Sequence, residues 1–172
     1  MNSGVFRIVK LNRSHIPALN QIVASSEPWK RLGEGIDFYA AASARSCPVL
    51  TYVCTSAARP VGFVMFSPWP VFARGGYLRA IAVAPAFRGH GIGRKLLEFA
   101  EGMTSKRAEN LYLCVSSFNR SAQAFYKKCG YVRVGSIPGL INPGASEYIY
   151  WKRLIKKNTH SSGVRYYHQD KA

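Results

Sequence analysis

Acidic residues are scarce in this sequence: eight Asp and Glu stand against 24 Lys and Arg, a formal net charge of +16. A field of that sign repels cationic surfaces and raises the encounter rate with anions. It suits nucleic acid and a phosphorylated coenzyme equally, and composition does not separate the two. Long apolar runs are also missing, since none approaches the roughly 20 residues of a membrane span. The opening Met1 to Arg7 lacks the apolar stretch of a signal peptide, so the expected setting is cytoplasmic, without membrane contact. Cysteine is sparse and poorly spaced for metal: Cys47, Cys54, Cys114 and Cys129 form no CxxC pair and have no histidines at zinc spacing. They read as free thiols, with no disulfide framework and no metal expected. Repeats and low-complexity linkers are absent too.

What is present is a globular composition, 48% hydrophobic and 19% charged in 172 residues, enough for one domain with a core of its own. The expected domain covers residues 1–154. The polar, basic stretch 155–172 reads as a loose tail.

Periodicity divides the chain into about seven strands and four helices. Val5 to Val9 alternates as a strand. Ser14 is placed to cap a helix over 15–25, with Ile16, Leu19, Ile22 and Val23 on one face. A polar segment, Ser26 to Gly35, is expected to be irregular, and a weaker helix is expected over 36–45. Strands are expected at 49–55 and 61–67, joined by a turn near Ala58-Arg59-Pro60, and at 77–84, stopped by Pro85. Ile92, Leu96, Leu97, Ala100 and Met103 mark an amphipathic helix over 91–107. A strand at 111–115, a helix at 120–129 ended by Gly130, and strands at 131–134 and 147–152 complete the chain.

The segment Arg88-Gly89-His90-Gly91-Ile92-Gly93 lies between a strand and a helix. Its glycines allow close backbone approach, and a helix start offers unpaired N–H groups to an anion. The Rossmann spacing and the Walker Gly-Lys-Ser/Thr ending are both absent. Val83-Ala84-Pro85-Ala86-Phe87-Arg88-Gly89-His90-Gly91-Ile92-Gly93-Arg94 instead resembles the central motif of the GNAT N-acetyltransferase superfamily, in which Arg88, Gly91 and Gly93 fill the fixed places. Downstream, Asn119-Arg120-Ser121-Ala122-Gln123-Ala124-Phe125-Tyr126-Lys127-Lys128-Cys129-Gly130-Tyr131 is similar to a second motif of that family. The resemblance covers about residues 61–153 and extends to the ribosomal-protein N-terminal alanine acetyltransferases.

This resemblance implies an α/β (α+β) fold with a mixed, mostly antiparallel sheet and helices on both faces. Acetyl-CoA would lie between splayed parallel strands ending at Val83 and Val115. It assigns to the coenzyme the strand end Ile81, Ala82 and Val83, the loop Arg88, Gly89, His90, Gly91, Ile92, Gly93 and Arg94, and Asn119, Ala122 and Tyr126. The N–H of Val83 would polarise the thioester. His90 reads as a solvated loop residue with no chemical role. The partners implied are acetyl-CoA and an amine acceptor, with the enzyme a monomer or homodimer.

Tyr126 occupies the family's general-acid position. A phenol, with a pKa of about 10, protonates a thiolate of about 8.5 at a cost of roughly 2 kcal/mol; water would be about 10 kcal/mol uphill. The family branch carries a glutamate on the strand before the second motif, where this sequence has Cys114, a residue suited to packing. The carboxylates left near the site are Glu27, Glu34, Asp37 and Glu147. Glu27 is assigned the base role because it lies beside Pro28-Trp29 in the segment expected to overhang the acceptor. Glu147 opens the last strand nearby. Trp29 and Tyr39 are further candidates for the acceptor pocket.

Two other functions bear weighing. Cys114 in place of the glutamate fits a non-catalytic acyl-CoA-binding module, against which the intact Tyr126 argues. A nucleic-acid contact through Lys152, Arg153, Lys156, Lys157 and Arg165 fits the charge, but no RNA- or DNA-binding motif accompanies it, and a solubilising tail is preferred.

Overall fold

A computed structural model of the chain describes residues 5–43, 49–72 and 74–154. Seven strands form one sheet in the order β1-β2-β3-β4-β5-β7-β6. They are β1 Phe6–Lys10, β2 Leu50–Ser56, β3 Arg59–Phe72, β4 Gly75–Val83, β5 Asn110–Ser116, β6 Val132–Pro138 and β7 Ser146–Arg153. Every pairing is antiparallel except β4 with β5, as the mixed, mostly antiparallel sheet of about seven strands requires. The basic tail and Cys47 lie outside the described residues. Cys54, Cys114 and Cys129 are free thiols.

Helices cover both faces. On one, α1 (Ile16–Ala24) buries Ile16, Leu19, Ile22 and Val23, the face read from the sequence. With Phe38 of α3 (Phe38–Ser43) it packs on Val53, Phe63, Met65, Ala80 and Ala82. On the other, α4 (Ile92–Thr104) buries Ile92, Leu96, Leu97 and Ala100 against Val64, Phe66, Leu78, Leu111 and Leu113. Each fully buried aliphatic side chain contributes about 2 kcal/mol of transfer free energy. α5 (Arg120–Lys128) lies on the same face and contributes Tyr126 to that core.

The structure corrects the reading in several places. Ser14 does not cap the first helix: a 3-10 turn, Arg13–His15, precedes it, and the Ser14 hydroxyl donates to Asn12 Oδ1 at 2.6 Å. A short polar side chain near a helix start bonds whichever backbone or side-chain acceptor the turn presents. The segment expected to be irregular contains a one-turn helix, α2 (Trp29–Leu32), closed by Gly33 in the left-handed region. β3 runs well past the expected 61–67, through Pro68 and Pro70, because its register with β4 is broken between Ser67 and Phe72 and no ladder N–H is needed there. The β2–β3 turn is the two-residue pair Ala57-Ala58, at φ 45° and 63°, which places Arg59 and Pro60 in the strand.

One irregularity positions the site. Met65 pairs with Ala80, but Phe66 pairs with Leu78, so Arg79 is the extra residue of a β-bulge. In a regular strand residues two apart share a face. Here Leu78 packs with α4 and Ala80 with α1. β4 pairs with β5 only from Gly75 to Leu78. Beyond the bulge the two parallel strands separate.

Candidate active site

The separation of β4 and β5 opens a cavity of about 540 Å³. One wall is the free edge of β4. Ala84 N donates to Val61 O of β3 at 2.8 Å. In an antiparallel pair alternate residues face the partner, so Ala82 shares that orientation while Ile81 and Val83 turn their backbone groups into the gap. Val83 O is taken by Arg88, which leaves the Ile81 groups and the Val83 N–H on this edge.

The floor is the loop before α4. Gly89 and Gly91 take φ values of 80° and 75°, which side-chain-bearing residues rarely adopt, and each faces open space. Gly91 is the N-cap of α4, without a side-chain cap, and the first intrahelical bond is Lys95 N to Gly91 O at 3.0 Å. The N–H groups of Ile92, Gly93 and Arg94 thus lack helical acceptors and carry the positive end of the helix dipole. Arg94 and Lys128 line the same space. A pyrophosphate fits this donor set.

Arg88 is placed differently from a simple phosphate ligand. Its Nε donates to Val83 O at 3.1 Å and its Nη2 to the buried Ser26 hydroxyl at 3.0 Å. The guanidinium ties the glycine loop to the end of β4 and to the α1–α2 segment. Arg31 of α2 stacks on Phe118, 4.4 Å from the ring centroid. Residues 26–31 therefore bridge from beyond β4 to beyond β5 and overhang the gap.

The third wall is α5. Asn119 caps it, its Oδ1 accepting from Ala122 N at 3.2 Å and from the Ser121 hydroxyl at 3.1 Å. Tyr126 packs edge-on against Phe125 and Tyr131 at 5.2 and 5.7 Å, and lines the cavity. Its hydroxyl has no hydrogen-bond partner among the described residues. Burial pushes this phenol up from its ordinary range, so it stays protonated at every working pH.

The strand edge Ile81 to Val83, the residues 88–94 apart from His90, and Asn119, Ala122 and Tyr126 all face this one cavity. His90 turns away, its Nδ1 2.9 Å from Arg88 O. Glu27 and Trp29 line the cavity mouth, and Glu27 is exposed to solvent. Tyr39 is 59% exposed and is not part of it. Lys152, offered as a nucleic-acid contact, is paired with Glu101 at 2.9 Å.

The sequence reading missed Tyr77, Arg79, Ser116 and Ile141, which also line the cavity. Strand alternation predicts a face for Tyr77, but nothing in the sequence marks the bulge that opens the gap next to it. Burial raises the Tyr77 phenol, and likewise the Cys114 thiol, with which it interacts. Cys114 is half-buried and lines the same cavity. Glu147 lies in the same wall with only 5% of its surface exposed.

The chain belongs to the Acetyltransferase (GNAT) family, whose match spans residues 16–131. The N-alpha-acetyltransferase 40 of Saccharomyces cerevisiae is 39% identical over 75 residues, 39% of this chain and 26% of that protein. The chain thus spans about a quarter of that relative's length. Among solved structures, the ribosomal-protein-S18-alanine N-acetyltransferase of Escherichia coli superposes with a TM-score of 0.70 at 20% identity, covering 92% of this chain and all of the other. An acetyltransferase of Bacillus anthracis in complex with acetyl coenzyme A gives 0.61 at 19% identity, over 71% and 70% of the two chains. At these identities the superpositions establish the fold, the GNAT α/β architecture the motifs implied. Among the described residues no helix is long and apolar enough to cross a membrane.

Proposed function

We propose that this enzyme transfers the acetyl group of acetyl-CoA directly to a primary amine within a ternary complex. The acceptor is an α-amine at a peptide or protein N-terminus, or a small-molecule amine. The observation that carries this reading is the convergence of three features on one gap: the backbone edge of Ile81 and the Val83 N–H, the uncapped start of α4, and the unpartnered hydroxyl of Tyr126. The edge and the helix start hold the coenzyme's amide arm and pyrophosphate. Tyr126 supplies a proton to the departing thiolate. A carboxylate at the acceptor side, Glu27 or Glu147, removes one from the amine.

Proton removal favours acceptors of low pKa. Presenting a lysine amine neutral at pH 7 costs about 4–5 kcal/mol, against about 1 for an α-amine. Thiol release from acetyl-CoA, measured with tetrapeptides of differing first residue, Nα-blocked lysine and aminoglycosides, tests the reading. Acetylated product with at least one amine is expected. Coenzyme binding without transfer to any of them would favour a non-catalytic acyl-CoA-binding module, the reading suggested by Cys114.

A further inference from the structure

We propose that Glu147, at the start of β7, is the base that takes the proton from the acceptor amine, with Glu27 acting at the mouth as a solvated charge that draws the ammonium in. This assignment rests on the acetyl-transfer reading and identifies the group that this reading leaves open.

The position of Glu147 is built by the sheet. It pairs with Ser116 across β5 and with Ile137 across β6. Just before it, Ser117 N donates to Ser146 O at 2.7 Å and Ser146 N to the Ser117 hydroxyl at 3.2 Å, fixing the strand start. By register Glu147 shares a face with Ser116 and Cys114, the face opposite to Leu113, Val115 and Tyr150, which pack with Tyr126. Base and acid thus reach the gap from opposite faces of the sheet.

Its surroundings leave it uncompensated. Glu147 is one of only eight carboxylates in a chain of 24 cationic side chains, yet the ion pair found among the described residues joins Lys152 and Glu101. The groups that share its cavity wall are Tyr77 and Arg79 of β4 and Cys114 of β5, with Glu27 and Glu34 across the mouth. On β6, Arg133 is stacked on Tyr148, 3.4 Å from its ring centroid. Burial raises both Tyr77 and Cys114, so neither carries charge or competes as a base. Ser116 beside Glu147 offers a single buried hydroxyl, which acts weakly on the carboxyl and makes no full hydrogen bond. A buried carboxylate costs free energy unless a cation or donors satisfy it, and an incoming ammonium supplies both. Burial also pushes the Glu147 carboxyl above the ordinary carboxylate range, the neighbouring hydroxyl acting against it, which makes it a stronger base than a solvated carboxylate.

In the reaction the ammonium gives one proton to Glu147, breaking an N–H bond and freeing the nitrogen lone pair. The C–N bond then forms at the thioester carbonyl and the C–S bond breaks. The thiolate takes a proton from Tyr126. The second N–H proton of the attacked nitrogen returns to Tyr126 through water, and that on Glu147 goes to solvent. One acetyl group moves and one proton is released.

The experiment compares wild type, Glu147→Gln and Glu27→Gln with two acceptors, a tetrapeptide N-terminus (pKa about 8) and Nα-blocked lysine (about 10.4). In wild type the acid limb of kcat/KM should sit at the same pH for both acceptors, because it belongs to Glu147. In Glu147→Gln the limb should move to the pKa of whichever amine is used, with a loss of at least about 10²-fold at pH 7. Glu27→Gln should keep the wild-type limb and raise the acceptor KM. Wild-type turnover with an unmoved limb in Glu147→Gln, or a limb lost in Glu27→Gln, overturns the assignment. Absence of transfer by wild type with either acceptor and across the wider amine panel overturns the proposed function instead.

A readout free of activity accompanies it. A carboxyl whose folded pKa is raised contributes stability that is full below its unfolded value, about 4.3, and lost as pH rises through the folded one. Coenzyme-free Glu147→Gln should therefore melt above wild type at pH 8, the difference closing toward pH 4. Equal melting temperatures at both pH values would place the carboxylate in water and overturn the proposal.

Discussion

Arg88 Nη2 donates to the Ser26 hydroxyl at 3.0 Å, joining residues 62 positions apart. The same guanidinium holds Val83 O at 3.1 Å. One side chain thus fixes the glycine loop, the strand edge and the segment that overhangs the cavity. A hydrogen bond to a charged group contributes about 1.5–3 kcal/mol.

Ser26→Ala removes the acceptor of this bond and leaves Arg88 in place. The acceptor KM should rise by roughly tenfold or more, with the coenzyme Kd changing less than about twofold. Steady-state kinetics and calorimetry check this. A coenzyme affinity that falls in step with the acceptor's would mean that Arg88 acts on the phosphates alone.

Gly91→Val should weaken coenzyme binding at least about tenfold. A β-branched residue at φ 75° costs about 1–3 kcal/mol and shifts the N–H groups that begin α4. No atom lies within 4 Å of the added Cβ, so the fold should survive. Calorimetry against acetyl-CoA, with circular dichroism as control, reads both effects; unchanged affinity contradicts the placement.

Tyr126→Phe keeps the ring contacts with Phe125, Tyr131 and Tyr150. Since no hydrogen bond is lost among the described residues, stability should hold while turnover falls about 10²–10⁴-fold. Near-full turnover with chemistry rate-limiting would make Tyr126 a packing residue.

The turn Ala57-Ala58 carries two residues in the left-handed region, where alanine is strained. Replacing the pair with Asn-Gly, which accepts those angles, should stabilise the protein by about 1 kcal/mol, or roughly 2–4 °C in a chain of this length. Neither residue of the turn lines the cavity, so kcat/KM should not change. Thermal melts decide; a lower melting temperature would refute the strain.

The sequence by itself determined the apolar faces of α1 and α4, the succession of helices and strands along the chain, and the glycine loop. Each of these is local: a period of 3.6 or 2, or a backbone angle that glycine alone takes without strain. It also named Tyr126 and the loop residues, through two motifs whose spacing is preserved. What it left undecided depends on contacts between distant segments. The bulge at Arg79 has no glycine, and the arginine that interrupts the apolar residues from Leu78 to Val83 does not by itself announce a bulge, which exists because β3 and β4 cross two cores at once. The bond from Arg88 to Ser26 needs the α1–α2 segment folded over β4. In the sequence Glu147 is one of four candidate carboxylates, with Glu27 preferred over it. Only the sheet, by pairing it with Ser116 beside a gap and burying it without an ion pair among the described residues, turns it into a carboxylate that needs a proton or an ammonium.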